Sequence, residues 1–353
     1  MSQTSSRNLT FWFEGLLNPQ RVLEASEPLK QARLPSLQKL LSKADYHFSQ
    51  KRSQSAMASY LFHQSRTLPA AATSVQSLSV VDETKKSLFW LSIDPVQMVP
   101  DRDTLVLIPA IDIGITEEES RALLQSFNEH FAEDGIELIY GSATQWFMSI
   151  AQPVAIQTTP LAQVAYQSLN GHYPEGAAGN YWRQLMNETQ MLFYNHEVNH
   201  QRRMQNLPEV NSVWVWGEGQ INPADITSRA QASLFSNQSY SRGMAKLCGA
   251  QSFDAVNSYA SWQSYQGDVV HSLVELDAKI YAGMDMDLMT LEQWLQLLDR
   301  LEQDWFVPIL NALASKELDS VLFVLGANKH FLLKPSHLKR FWRLNKRWSG
   351  LAN

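Results

Sequence analysis

Cysteine is nearly absent from this chain: Cys248 is the one thiol in 353 residues, which excludes an intrachain disulfide framework and fits a reducing compartment. Alone, it is expected to be a small buried hydrophobe rather than a nucleophile. Long apolar runs are missing too. No uncharged apolar stretch of about 18 residues, the least a membrane span needs, occurs, and the N-terminus Met-Ser-Gln-Thr-Ser-Ser-Arg-Asn lacks the apolar segment of a secretory signal. A cytoplasmic protein without a membrane span is expected. Charge is scarce, at 18% of residues, and 29 basic against 35 acidic side chains leave a net −6. Nucleic-acid binding through overall charge is therefore not expected. No internal repeat or low-complexity tract is visible, which excludes a solenoid.

What is present is apolar and aromatic. Hydrophobic residues make up 44% and tryptophans number 11, enough for a sizeable core in one large α/β domain with an insertion, or in two domains. Buried strands are expected at Leu9–Phe13, Thr104–Ile108, Ser212–Trp216, Val269–Leu276 and Ser320–Leu325. Helices alternate with them. Thr116-Glu-Glu-Glu119 reads as a capping box followed by Leu123, Leu124, Phe127 and Phe131 on one face, and Thr290-Leu-Glu-Gln293 as another, followed by Trp294, Leu297, Leu298, Leu301 and Trp305. Both stripes read as core. The polar stretch from about Ser49 to Ser79 is expected to hold loops and one short helix. Charge is uneven: eight acids against Arg121 alone lie between Asp112 and Glu137, whereas after Asp319 no acid occurs and seven Lys/Arg follow.

The segment Asn195 to Gly219 carries the most information. His196, Asn199, Arg202, Pro208, Asn211, Trp214, Trp216, Gly217 and Gly219 fall in step with the H-P-V-N-x-x-R…G-x-P-P-A-N-x-x-W-x-W-G-x-G segment, and the chain thereby resembles the archaeal-type cofactor-independent phosphoglycerate mutases of the alkaline-phosphatase superfamily. Leu9–Gly15, Leu34–Leu41, Asp112–Leu124 and Val270–Asp277 resemble further stretches of that family in order. Phe89–Leu107 and Phe131–Gly135 are similar to the bacterial regulatory proteins of the RpfE type, among which the chain is identified as a member. The resemblance implies an α/β fold: an alkaline-phosphatase-like, mainly parallel sheet core with helices on both faces and an inserted smaller α/β lobe. The core is expected in residues 1–100 and 206–353, the lobe in 101–205.

The same resemblance implies metal ligands that this sequence does not repeat. Two-metal phosphoryl chemistry takes Asp and His from several strand ends. Here Glu14 stands for the family's Asp, and Asp277 is followed by Lys279 and Tyr281 where the family has acid and His. Gly326-Ala-Asn328 replaces an Asp-His pair. His330 and His337 are expected to be exposed or capping, and no metal or cofactor is expected. Glu14, Asp277, Asn328, Gly217 and Gly219 are expected to line a strand-end cleft. His196, Asn199, Arg202 and Arg203 lie within two helical turns and are expected to bind a phosphorylated or carboxylate small molecule, since the Arg fork suits such anions. The opposing reading is a structural helix whose Arg residues pair with the acidic face Glu117–Glu137.

From Lys329 to Trp348, bases interleave with Phe331, Phe341, Trp342 and Trp348. That composition suits nucleic acid, acidic lipid or an acidic protein partner, or a solvated terminal helix. The expected function is a catalytically degenerate phosphoglycerate-mutase-like protein acting as a regulatory or anion-sensing binding protein. The alternative is an active cofactor-independent phosphoglycerate mutase or phosphohydrolase with a rebuilt metal site around Glu14 and Asp277.

Overall fold

The computed structural model describes residues 7–32, 34–48, 53–227, 232–265, 270–283, 286–326, 329–344, 346 and 348. Its strands, in chain order, are β1 (Asn8–Phe13), β2 (Asp45–Phe48), β3 (Phe89–Asp101), β4 (Thr104–Pro109), β5 (Leu138–Ser142), β6 (Gln145–Ile150), β7 (Ser212–Gly219), β8 (Ala232–Phe235), β9 (Ser252–Phe253), β10 (His271–Leu276), β11 (Ser320–Val324) and β12 (Lys329–Leu333). Two compact units result, one from residues 1–63 with 228–353 and one from 64–227. The insertion is thus wider than 101–205. The reason is β3, a 13-residue strand that serves as spine for β4, β6 and β7, so that residues 89–101 and 212–219 fold with it.

The first unit is α/β, built on a seven-stranded sheet in the order β2-β12-β11-β1-β10-β8-β9. The five strands from β11 to β9 run parallel, and β12 and β2 return antiparallel at one edge. One face carries alternating apolar residues, Phe11, Phe13, Phe235, Val274, Leu276, Phe323 and Phe331, against the buried stripe Trp294, Leu297, Leu298, Leu301 and Trp305. Phe11 sits at the centre, 5.2 Å from the Trp305 ring and 5.6 Å from Phe306; burying a side chain of that size stabilises by about 1.5–3 kcal/mol. The helix Leu291–Leu301 begins at the expected Thr290 capping box. It runs through one π-turn, Glu302–Phe306, which directs buried Glu302 to the start of the helix Pro35–Lys43. There its carboxylate accepts from the amides of Ser36 (2.6 Å) and Leu37 (3.0 Å), satisfying otherwise unpaired first-turn donors.

The opposite face of this sheet is polar where it nears the strand ends. Cross-strand register aligns His47, His330, Val324, Trp12 and Glu275 in one transverse row. Helices Gln54–Leu61 and Ser239–Cys248 cover it: Gln54 reaches Glu275, Tyr60 packs on His330, and the Ser59 and Tyr240 hydroxyls meet at 3.2 Å. Two expectations fail here. The segment after Lys329 is strand β12 and a short 3-10 turn, Pro335–Lys339, not a terminal helix. His330 and His337 are buried rather than exposed: His330 because β12 is flanked by β11 and β2, His337 within the turn that follows. Cys248 is buried, as expected.

The second unit is built on an antiparallel sheet. The helix Glu117–His130 starts at the expected Thr116 capping box and buries Leu123 and Phe127, the latter stacked 4.5 Å from Phe131. The stretch preceding β3 holds more structure than expected, with helices Gln54–Leu61 in the first unit and Ala70–Ser74 in this one.

Candidate functional site

Glu14 and Asp277 follow directly on the paired ends of neighbouring strands β1 and β10, where Phe13 faces Leu276. Strand ends of a parallel sheet are where ligands bind, but both carboxylates are engaged by the protein. Glu14 accepts from the Trp12 indole N–H at 3.0 Å, and burial raises its pKa above the usual carboxylate range despite that bond. Asp277 is the N-cap of helix Ala278–Ala282: one oxygen accepts from the Lys279 amide at 2.7 Å and the other from the Gln238 side chain. Tyr281, on the same helix, donates to Asp304 at 2.5 Å and is raised well above the ordinary phenol range by burial and by that carboxylate. Asn328 lies outside the described residues. Among the described residues no three Asp, Glu, His or Cys gather where a metal ion could be held. The donors around Glu14 and Asp277 among the described residues are engaged within the protein and do not fit a two-metal centre.

Gly217 and Gly219 do not share this sheet. They belong to β7 in the second unit, where both have positive φ and pack closely, Gly217 on Ala70 and Ala71 and Gly219 on Pro69. A Cβ on Gly219 would lie 2.5 Å from Pro69 Cβ. Close packing, not ligand approach, explains these glycines.

The sequence expected His196, Asn199, Arg202 and Arg203 within two helical turns, with His196, Asn199 and Arg203 roughly on one face. The chain instead breaks between helices Gly179–Tyr194 and Glu197–Met204, and His196 caps the latter. Its Nδ1 accepts from the Val198 amide at 3.1 Å and its Nε2 lies 2.8 Å from Ser126 Oγ, which assigns the proton to Nε2. Burial lowers its pKa, favouring the neutral ring. Asn199, fully buried, donates to the Phe193 and Val210 carbonyls (2.8 and 2.7 Å) and accepts from the Val210 amide (2.9 Å). Arg202 is 1% exposed. Its Nε donates to the Pro208 carbonyl (2.6 Å), Nη2 to Ile113 (2.5 Å), and Nη1 to both oxygens of Glu119 (2.9 and 2.8 Å). Three of the four residues therefore hold the lobe together, with Glu119 of the acidic face as the partner of Arg202. Arg203 differs: it pairs with Glu209 at 2.7 Å and remains partly exposed.

A groove of about 620 Å³ is lined by Gln97, Met98, Gln190, Tyr194, Glu209 and Asn211 among others, and Arg203 reaches it through its pair with Glu209. Its guanidinium lies 5.6 Å from the Tyr194 ring centre. Asn211 forms one wall by mimicking a strand, accepting from the Met98 amide (2.7 Å) and donating to the Met98 carbonyl (2.9 Å).

Two buried carboxyls were not singled out in the sequence. Glu275, raised by burial, accepts from Gln54 (2.9 Å) and Ser236 (2.7 Å). Asp94, in β3, is pushed up to about 7 by burial, against bonds from the Trp216 indole (2.7 Å) and Trp146 amide (3.4 Å). An acid between apolar neighbours, Ile93 before Asp94 and Val274 and Leu276 around Glu275, was the available signal.

No protein-family model matches the chain. In sequence it is 21% identical over 282 residues to a probable 2,3-bisphosphoglycerate-independent phosphoglycerate mutase of Geobacter sulfurreducens, covering 76% of this chain and 70% of that protein. It is 22% identical over 107 residues to a 2,3-bisphosphoglycerate-independent phosphoglycerate mutase of Methanosarcina barkeri, covering 30% of this chain but 27% of that protein. In structure it resembles the PH0037 protein of Pyrococcus horikoshii, with a TM-score of 0.59 at 10% identity over 98% of this chain and 92% of the other. The chain is a distant homologue of cofactor-independent phosphoglycerate mutases.

Proposed function

We propose that this chain is a mutase-like protein, on an alkaline-phosphatase-like core, that has given up two-metal phosphoryl chemistry and works by binding, in a regulatory role of the kind the resemblance to RpfE-type proteins implies. The observation that carries the reading is the state of Asp277. Its two oxygens cap a helix and hold Gln238, and Lys279 and Tyr281 stand beside it where the mutase resemblance implies acid and His. The ligand class is an anion bearing phosphate or carboxylate, met by the partly exposed guanidinium of Arg203.

Elemental analysis of protein purified with Mn²⁺ and Zn²⁺ present tests the first half of the proposal. Less than one tightly held ion per chain is the expected result; about two per chain would favour the working enzyme. Calorimetry against phosphorylated metabolites tests the second half. Binding that weakens with salt and is diminished in Arg203→Ala is expected, and no binding across the panel contradicts it.

A further inference from the structure

The charge asymmetry of the sequence has a structural counterpart. Seven Lys/Arg and no acid follow Asp319 in a chain of net charge −6. After the turn Pro335–Lys339 the chain is pinned to the first unit: Arg340 donates to both oxygens of Asp45 (2.7 and 3.0 Å), Arg343 to one (2.9 Å), and Lys43 to the Arg340 and Arg343 carbonyls. The backbone between these anchors is thus fixed, yet its apolar side chains face water. Phe341 is 83% exposed, Trp342 66% and Leu344 80%. The Phe341 and Trp342 rings meet edge to face at 5.1 Å, so they support each other and bury against little else. Nearby, Lys329 and Lys346 lie 5.0 and 5.1 Å from the ring centre of Tyr46 on the edge strand β2, next to Phe48, itself 67% exposed.

We propose that this turn is an interfacial anchor for an anionic phospholipid surface, with Phe341, Trp342 and Leu344 entering the headgroup boundary and Lys339 and Lys346 meeting the lipid charge. Aromatic and aliphatic side chains beside cations are the composition of such anchors, in which shallow apolar burial and electrostatic attraction are each weak and act together. A fixed turn loses little conformational entropy on insertion. Nucleic acid fits less well, since Leu344 offers no ring on which a base stacks. An acidic protein would satisfy the lysines but leave the protruding apolar residues unexplained.

Flotation of the full chain with vesicles of phosphatidylcholine, alone or mixed with phosphatidylserine, tests the proposal. Binding to the mixed vesicles only, weakening as salt rises, is expected. Replacing Phe341, Trp342 and Leu344 together by Ser is expected to weaken it about tenfold or more, and Lys339→Glu with Lys346→Glu by a similar factor, at about fivefold or more per basic residue. Near-ultraviolet circular dichroism checks that each variant is folded. Equal binding to both vesicle types, no binding to either, or binding to mixed vesicles untouched by the Ser variant overturns it. So does tighter binding to RNA or polyglutamate than to the mixed vesicles.

Discussion

The Arg202 guanidinium and the Glu119 carboxylate form an ion pair with contacts of 2.9 and 2.8 Å, in which Arg202 is withdrawn from solvent. Glu119 also closes the Thr116 capping box, so the pair fastens helix Glu197–Met204 to the start of helix Glu117–His130. Replacing Arg202 by Ala leaves Glu119 with its Thr116 donors only and two carbonyls without their donor, and is expected to destabilise the second unit by about 2 kcal/mol or more. Arg203→Ala removes a partly exposed pair and is expected to cost about 1 kcal/mol or less. Denaturant unfolding of both variants checks the contrast. Equal losses would show that Arg202 is not a structural residue.

Asp94 makes the second unit sensitive to rising pH. Its pKa is about 7 in the folded protein against an ordinary 3.8. Below 3.8 both folded and unfolded states are protonated. Between about 4 and 7 the unfolded state releases the proton first, so stability falls, and above about 7 it levels off. Asp94→Asn is expected to flatten that slope, a contribution on the order of a few kcal/mol between pH 4 and 8. Thermal unfolding at several pH values measures it; an unchanged slope in the variant contradicts it.

His330 acts in the opposite sense in the first unit. Burial, then the neighbouring His47, lowers its pKa to about 4 from 6.5, and among the described residues neither ring nitrogen has a hydrogen-bond partner. Its contribution is fully present above about 6.5 and is lost as pH falls toward 4, because the unfolded chain takes up the proton first. His330→Leu is expected to reduce acid sensitivity without lowering stability at pH 8. A variant with the wild-type acid profile would refute this.

Gly326 and Gly15 bring the ends of β11 and β1 into contact. A Cβ on Gly326 would lie 2.0 Å from the Gly15 amide nitrogen, at a φ of +81°. Gly326→Ala is therefore expected to destabilise by about 3 kcal/mol or more, whereas Gly249→Ala, at a similar φ with open space around it, is expected to cost about 1 kcal/mol. Comparable losses would contradict the close approach.

Local patterns were legible in the sequence where one residue's chemistry decides the outcome. The Thr116 and Thr290 capping boxes, the stripe from Trp294 to Trp305 and the strands β1, β4, β7, β10 and β11 were read from period and cap alone. The spine β3 was not, since Pro95 and Pro100 break a strand pattern and its partners β6 and β7 are distant in sequence. Strand β12 was hidden by its bases: Lys329 and His330 are buried by pairing on both sides, which no local pattern announces. At the candidate site the positions of Glu14 and Asp277 were legible. The bond from Gln238 to Asp277 was not, because it arises only once β10 and the turn after β8 lie side by side. The cluster around Arg202 was read by residue type, which cannot tell a donor facing solvent from one facing Glu119.

The most direct measurement is interconversion of 2- and 3-phosphoglycerate by the purified full chain with Mn²⁺ or Zn²⁺ supplied. Metal chemistry of this kind is worth several kcal/mol, at about tenfold in rate per 1.4 kcal/mol. The expected result is no turnover above background, identical in the unaltered chain and in Asp277→Ala. Turnover typical of enzymes, lost in Asp277→Ala while that variant remains folded, would contradict the proposal that this protein binds rather than converts.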